Sequence, residues 1–148
     1  MGGSLAVAVT PGSLSISPTP SLLTLERGPG TGRTTRYVGL LPVVRVIDTR
    51  GSLLGWDATV TFFRPSSIPA TDLRLRVHPG RPTVASGQSK GIRSAVPEWS
   101  AFDTQVALFA AEPGSGAGAY DEVAQIELVL PFASDVASID LAYATSVS

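Results

Sequence analysis

The chain has 148 residues, 43% of them hydrophobic and only 16% charged, with a net charge of −1. That length suits one domain with a real core, and the charge balance leaves no basic footprint for nucleic acid or an anionic membrane surface. Cysteine is absent, which excludes disulfides and thiol chemistry, and no apolar stretch reaches the ~18 residues of a membrane span.

Helical signals are thin. No window of about 12 residues keeps the i, i+3, i+4, i+7 spacing of an amphipathic helix. Twelve prolines and fifteen glycines instead cut the chain into pieces of strand length, most of which alternate as half-buried strands do. The opening, MGGSLAVAVT, lacks the basic and long apolar regions of a secretory signal. We expect such a signal to have been removed ahead of it and the protein to be extracellular, at the cell surface. Leu5, Val7 and Val9 alternate with alanines up to Pro11-Gly12. Residues 1–10 are thus a candidate strand that could pair with a neighbouring subunit. Leu14 and Ile16 alternate with serines, and Leu22, Leu23 and Leu25 precede the polar loop ERGPGTGRTT.

Tyr37 to Leu41 and Val43 to Ile47 read as one long strand kinked at Pro42. Asp48 to Gly55 then reads as a hairpin loop leading into a strand with Ala58, Val60 and Phe62 on one face. Leu73, Leu75 and Val77 alternate with Asp72, Arg74, Arg76 and His78 in the cleanest amphipathic strand of the chain. Arg81 to Ser100 is polar and broken, a long loop with at most one short strand. Val106, Leu108 and Ala110 form the next strand. A glycine-rich connection from Glu112 to Glu122 follows, then a strand with Ile126, Leu128 and Leu130 inward and Glu127 outward. Ile139, Leu141 and Tyr143 close the chain. About nine strands with turn signals between them predict an all-β fold. The expectation is an antiparallel β-sandwich of immunoglobulin-like, Greek-key type, in a single domain over residues 1–148.

No residues assemble into a catalytic set. The one histidine, His78, sits at a strand end, and without a second histidine or a cysteine no zinc site is expected. The segment EPGSGAGAYDE lacks the ending of a phosphate loop and precedes a strand, not a helix. Asp121, Glu122 and Glu112 offer hard oxygen ligands, but their spacing matches no EF-hand. No metal or cofactor is therefore expected. Nothing holds two of Glu98, Asp103, Glu122 and Glu127 at the separation glycoside hydrolysis needs, so a hydrolase ranks last.

The loop after Ile47 is accounted for by architecture. Asp48 can accept the backbone N–H two residues on. Arg50 can reach a carboxylate or carbonyls with its planar fork. Gly51 and Gly55 allow positive φ, and Trp56 restarts the chain with its ring inward. Trp99, after Pro97-Glu98, is the candidate for an exposed aromatic contact, with Tyr120 and Tyr37 as further contact residues.

The segment VRVIDTRGSLLGWDATVTF resembles the first block of WxL-type domains, the β-sandwich domains of Gram-positive and related bacterial surface proteins. The C-terminal GAYDEVAQIELVLPFASDVASIDLAYATSVS is similar to that family's closing pattern. The matching positions are Asp48, Arg50, Gly51, Gly55, Trp56, Tyr120, Pro131 and Tyr143. The Trp-x-Leu motifs themselves are missing: Ala58 and Ala101 stand where the leucines would. The resemblance implies a secreted, non-enzymatic surface or matrix component acting by association with itself or other surface proteins. A fibre subunit donating Leu5, Val7 and Val9 is the sharper form. The rival expectation is a module binding cell-wall glycan or another carbohydrate.

Overall fold

The computed structural model describes residues 12–18, 20–29, 33–65 and 74–148. Leu5, Val7, Val9, Asp72 and Leu73 lie outside them. The described residues contain no helix and thirteen strands. These are β1 (Leu14–Ser17), β2 (Ser21–Arg27), β3 (Thr35–Leu40), β4 (Val44–Asp48), β5 (Trp56–Phe63), β6 (Arg74–Pro79) and β7 (Thr83–Gly87). They continue with β8 (Ile92–Ser94), β9 (Trp99–Ser100), β10 (Gln105–Ala111), β11 (Gly118–Glu122), β12 (Ala124–Leu130) and β13 (Ser138–Val147).

Every pairing is antiparallel. A curled sheet runs β8-β10-β5-β13-β2-β3-β12-β6-β9, and a smaller one runs β1-β4-β11-β7. The protein is a β-sandwich. Alternation decides the core. Leu23 and Leu25, Tyr37, Val44 and Val46, Val60 and Phe62, Leu75 and Val77, Ile126 and Leu128, and Leu141 and Tyr143 all point between the sheets. Each fully buried aliphatic or aromatic side chain contributes about 1.5–3 kcal/mol.

Five features differ from the sequence reading, the first being that the glycine-rich connection from Glu112 to Glu122 ends in a strand, β11. The segment from Tyr37 to Ile47 is not one kinked strand: β3 belongs to the large sheet and β4 to the small one. Pro42 has no N–H to give a ladder and stands at the crossing. The loop after β4 is not a hairpin either, because β5 pairs with β10 and β13 while β4 pairs with β1 and β11. Arg81 to Ser100 holds three short strands, β7, β8 and β9, none with the buried alternation that would mark it in sequence. In β10 a bulge between Ala107 and Phe109 shifts the parity, so Leu108 and Phe109 are both buried and Ala110 is not.

Chain crossings gather at the two ends of the sandwich. At one end β3 passes to β4, β6 to β7 and β11 to β12. There the Leu41 N–H donates to Ala124 O (2.9 Å) and the Gly80 N–H to Val123 O (2.8 Å). A side chain at Gly80 would meet Val123 O at 2.3 Å, so only glycine fits this close approach. At the other end the loops 49–55, 88–91 and 112–117 meet. The Glu112 N–H donates to Gly91 O (2.9 Å) and the Gly114 N–H to Leu53 O (2.7 Å).

Candidate functional site

Asp48 ends β4 with its side chain turned inward and only 3% exposed. Its Oδ1 accepts the backbone N–H and the Nε–H of Arg50, each at 3.0 Å. Its Oδ2 accepts from Arg50 Nη2 at 3.1 Å. Nη2 also donates to Gly55 O at 2.9 Å and so closes the loop on itself. The guanidinium holds the Asp48 carboxyl below its ordinary range, against burial, which pushes it up. Gly51 and Gly55 take positive φ, +69° and +78°. Behind them Trp56 is 2% exposed. Its Nε1–H donates to Gly116 O (3.0 Å), and its ring meets Phe109 edge-on at 5.1 Å. Asp48, Arg50 and Gly55 thus close the loop through their own hydrogen bonds, with Trp56 packed behind them. Asp48→Ala should cost about 2 kcal/mol, since it strands a half-buried guanidinium and a backbone donor. For a domain of this size that lowers Tm by about 6 °C in a thermal melt. A variant with an unchanged Tm and lost binding would overturn the architectural reading.

Tyr37 and Tyr120 are not contact residues. Tyr37 is fully buried and Tyr120 is 1% exposed. Strand parity turns both rings inward: Tyr37 lies opposite Leu128 and Tyr120 opposite Val46. Their hydroxyls tie down loops. Tyr37 donates to Val136 O at 2.7 Å, and the Tyr120 hydroxyl sits 2.9 Å from Gln88 O and 3.0 Å from Ala117 O. Neither ring can offer a face to a ligand.

Trp99 is different. It lies on the edge strand β9, opposite Arg76, and is 43% exposed. The Arg76 guanidinium carbon stands 4.2 Å from the ring centroid and that of Arg74 6.0 Å, a cation–π shelf. Register extends this face inward across the sheet. Arg76 sits beside Glu127, which is opposite Val38; Arg74 sits beside Val129, which is opposite Arg36; His78 sits beside Gln125, which is opposite Leu40.

Glu127 points outward, as its alternation requires, yet is 6% exposed because its neighbours cover it. It accepts from Arg36 Nε, from Arg76 Nε and Nη2 (3.1 and 2.8 Å), and lies 3.2 Å from His78 Nε2. Burial pushes its carboxyl up, but the bonds from Arg36, His78 and Arg76 together outweigh that and hold it at about 2. Two guanidinium groups and an imidazole therefore surround one carboxylate. Among the described residues, the Arg74 side chain makes no hydrogen bond or ion pair and only approaches Trp99.

Sequence reasoning weighed Glu122 as an oxygen ligand and as a possible acid but missed its burial. It ends β11 on the inward face, in parity with Tyr120, and is 2% exposed. That parity was the available signal. Ser94 Oγ lies 3.1 Å from Glu122 Oε2 and 2.5 Å from Gly80 O. A hydroxyl has one proton. The Ser94 hydroxyl therefore donates to Glu122 Oε2 or to Gly80 O, not to both at once. Oε1 is buried with no partner. Burial pushes this carboxyl up to about 8, with the Ser94 contact pulling the other way. Its neighbour Asp121 faces outward into a two-pronged pair with Arg45 (2.7 and 2.8 Å), and Glu112 pairs with Arg93. The three acids of this region therefore diverge. Among the described residues no three His, Cys, Asp or Glu side chains converge as metal ligands.

A shallow cleft of about 370 Å³ opens at the loop end beside Leu53, Gln88 and Lys90. It does not reach Trp99; three glycines, Ser115, Ala117 and Tyr120 complete its wall. Among the described residues no helix is long and apolar enough to cross a membrane. Comparison with family models, curated proteins and solved structures finds no match to this chain.

Proposed function

We propose that this protein is a secreted bacterial surface or matrix module of WxL-like type, working by protein association and not by catalysis. One observation carries the reading: among the described residues, nothing pairs with the outer side of β7, the last strand of the small sheet. A terminal strand presents unpaired N–H and C=O groups to any chain that can pair with them, and proteins ordinarily blunt such edges with charge, proline or brevity. The large sheet ends in β8 and β9, of three and two residues. The small sheet ends on one side in β1, four residues running into Pro18. On its other side β7, TVASG, has five residues, all exposed and uncharged, with a bulge at Ala85 and with Arg81-Pro82 just before it. The two buried carboxylates also favour association over hydrolysis: Glu122 faces the core from the small sheet while Glu127 faces outward from the large one, so they share no cleft.

The doubly charged edge variant Ala85→Lys/Ser86→Lys tests this. In sedimentation velocity the wild-type protein should form species larger than the monomer as concentration rises. The variant should stay monomeric, with stability within about 0.5 kcal/mol of wild type, as for other exposed positions. Wild-type protein that is monomeric at every concentration, alone and with extracts of its native surface, would sink the reading.

Trp99 favours a second reading, a glycan-binding module. An exposed ring braced by arginines suits stacking on a sugar. Trp99→Ala should then lower retention on purified cell-wall sacculi by about tenfold or more, the scale of an aromatic anchor. Retention equal to wild type would remove that reading.

A further inference from the structure

We propose that the occupant of the β7 edge is the segment Leu5 to Val9 of a second copy of this chain, joining subunits head to tail. The inference rests on the association reading above and adds its partner. Where the chain enters the fold is decisive. The Ser13 N–H donates to Thr49 Oγ1 (3.0 Å) and the Thr49 N–H to Ser13 O (2.9 Å). Gly12 packs so closely on Thr49 that a side chain there would strike the Thr49 carbonyl. Residue 12 is thus pinned at the start of β1. The small sheet runs β1-β4-β11-β7, so β1 and β7 are its opposite edges. A strand added outside β7 lies four strand spacings from β1, about 19 Å at ~4.8 Å each. Val9 is three residues from Gly12 and reaches at most about 11 Å. Leu5, seven residues away, reaches about 25 Å only when fully extended. A chain stretched across the sheet end cannot also lie along β7. The segment can fill this edge only on another molecule.

The chemistry of the two partners matches. SLAVAVT carries no charge, proline or glycine, and β7 asks for main-chain pairing with nothing to repel it. In strand addition, main-chain bonds supply affinity and alternate side chains supply specificity. In an extended strand Leu5, Val7 and Val9 would share one face. Along β7 the core-side residue Val84, opposite Tyr120, is left 38% exposed, and an added apolar strand would cover it. Because donor and acceptor are different surfaces of the same chain, the contact is heterologous and extends to a filament unless the rotation closes it into a ring.

Complementation tests the pairing. Ala85→Lys/Ser86→Lys keeps the donor and blocks the acceptor; deletion of residues 2–10 keeps the acceptor and removes the donor. Each alone should be monomeric in sedimentation velocity. Mixed, they should form a one-to-one heterodimer and nothing larger. A synthetic SLAVAVT peptide in excess should bind the deletion variant once and cap wild-type assembly. Val7→Pro in the full chain should act like the deletion and covers the case in which the deletion variant does not fold. If the wild type assembles and the edge variant does not, yet the deletion and Val7→Pro variants assemble like wild type, β7 is an interface with another occupant. The association reading would then stand and this inference would fall. An unmixed response in the complementation experiment, with both variants folded, overturns it equally.

Discussion

Replacing Glu122 with glutamine should raise Tm at pH 7 by several degrees and flatten the dependence of stability on pH between about 4.5 and 8. In the folded protein burial keeps this carboxyl neutral to about pH 8; in the unfolded chain it ionises near its ordinary value. Below about pH 4.5 it is protonated in both states and contributes no pH dependence. From there upward the unfolded chain sheds a proton that the folded chain retains, and stability falls until the folded group ionises too. At 1.36 kcal/mol per unit, the loss by pH 7 is about 3 kcal/mol. Glutamine cannot ionise and nearly matches the shape, so it escapes this loss, less whatever its amide forfeits beside Ser94. Denaturant melts of both proteins from pH 4 to 8.5 decide the matter. Curves that coincide below pH 4.5 and diverge steadily above it are expected. A glutamine variant with the wild-type slope, or one less stable throughout, would show that Glu122 is charged and paired.

Glu127→Gln should do the reverse, costing about 2 kcal/mol at pH 7. The folded carboxyl is held at about 2. Its stabilisation is therefore complete above the unfolded value near 4.5 and is lost as pH falls from there through 2. The shift alone corresponds to about 3 kcal/mol, but Arg36 and Arg76 are about one-third exposed, and solvent screening reduces the net effect. The variant leaves these guanidinium groups facing each other without their shared acceptor. Its acid unfolding midpoint should move up, and the difference from wild type should vanish by about pH 2. An acid limb unchanged from wild type would mean that the arginines merely cover Glu127. The combined contribution of these two carboxylates is greatest near pH 4.5–5. On either side of that point one of them works against the fold.

In the sequence Glu127 reads as an ordinary strand residue and Glu122 as the end of a glycine-rich connection. Glu127 alternates outward and does point outward. What could not be read was the company it keeps, because Arg36 and Arg76 come from strands 91 and 51 residues away. Glu122 and Tyr120 share a parity, so once the ring is known to face inward the acid must follow it. The same blindness produced the misplaced tyrosines. Flanking glycines and polar residues suggest a loop mouth, but one strand step decides whether a ring meets solvent or core. Trp99 stayed exposed because β9 is too short and too near the sheet edge to be covered.

The loop from Asp48 to Trp56 divides the question most clearly. Its internal bonds span two to five residues, so residue types and spacing sufficed to read them. Its role as a passage between sheets depends on which strands flank β4 and β5, and those partners lie far along the chain. Period-two alternation, proline and glycine punctuation and the missing helical period determined from sequence alone that this is an all-β sandwich, because each is a local property of the backbone. Pairing order, the crossing at Pro42, the burial of Glu122 and the place of β7 at the end of the small sheet were decided only by the tertiary structure. Alternation tells a strand which side to bury but carries no information about which strand will lie beside it.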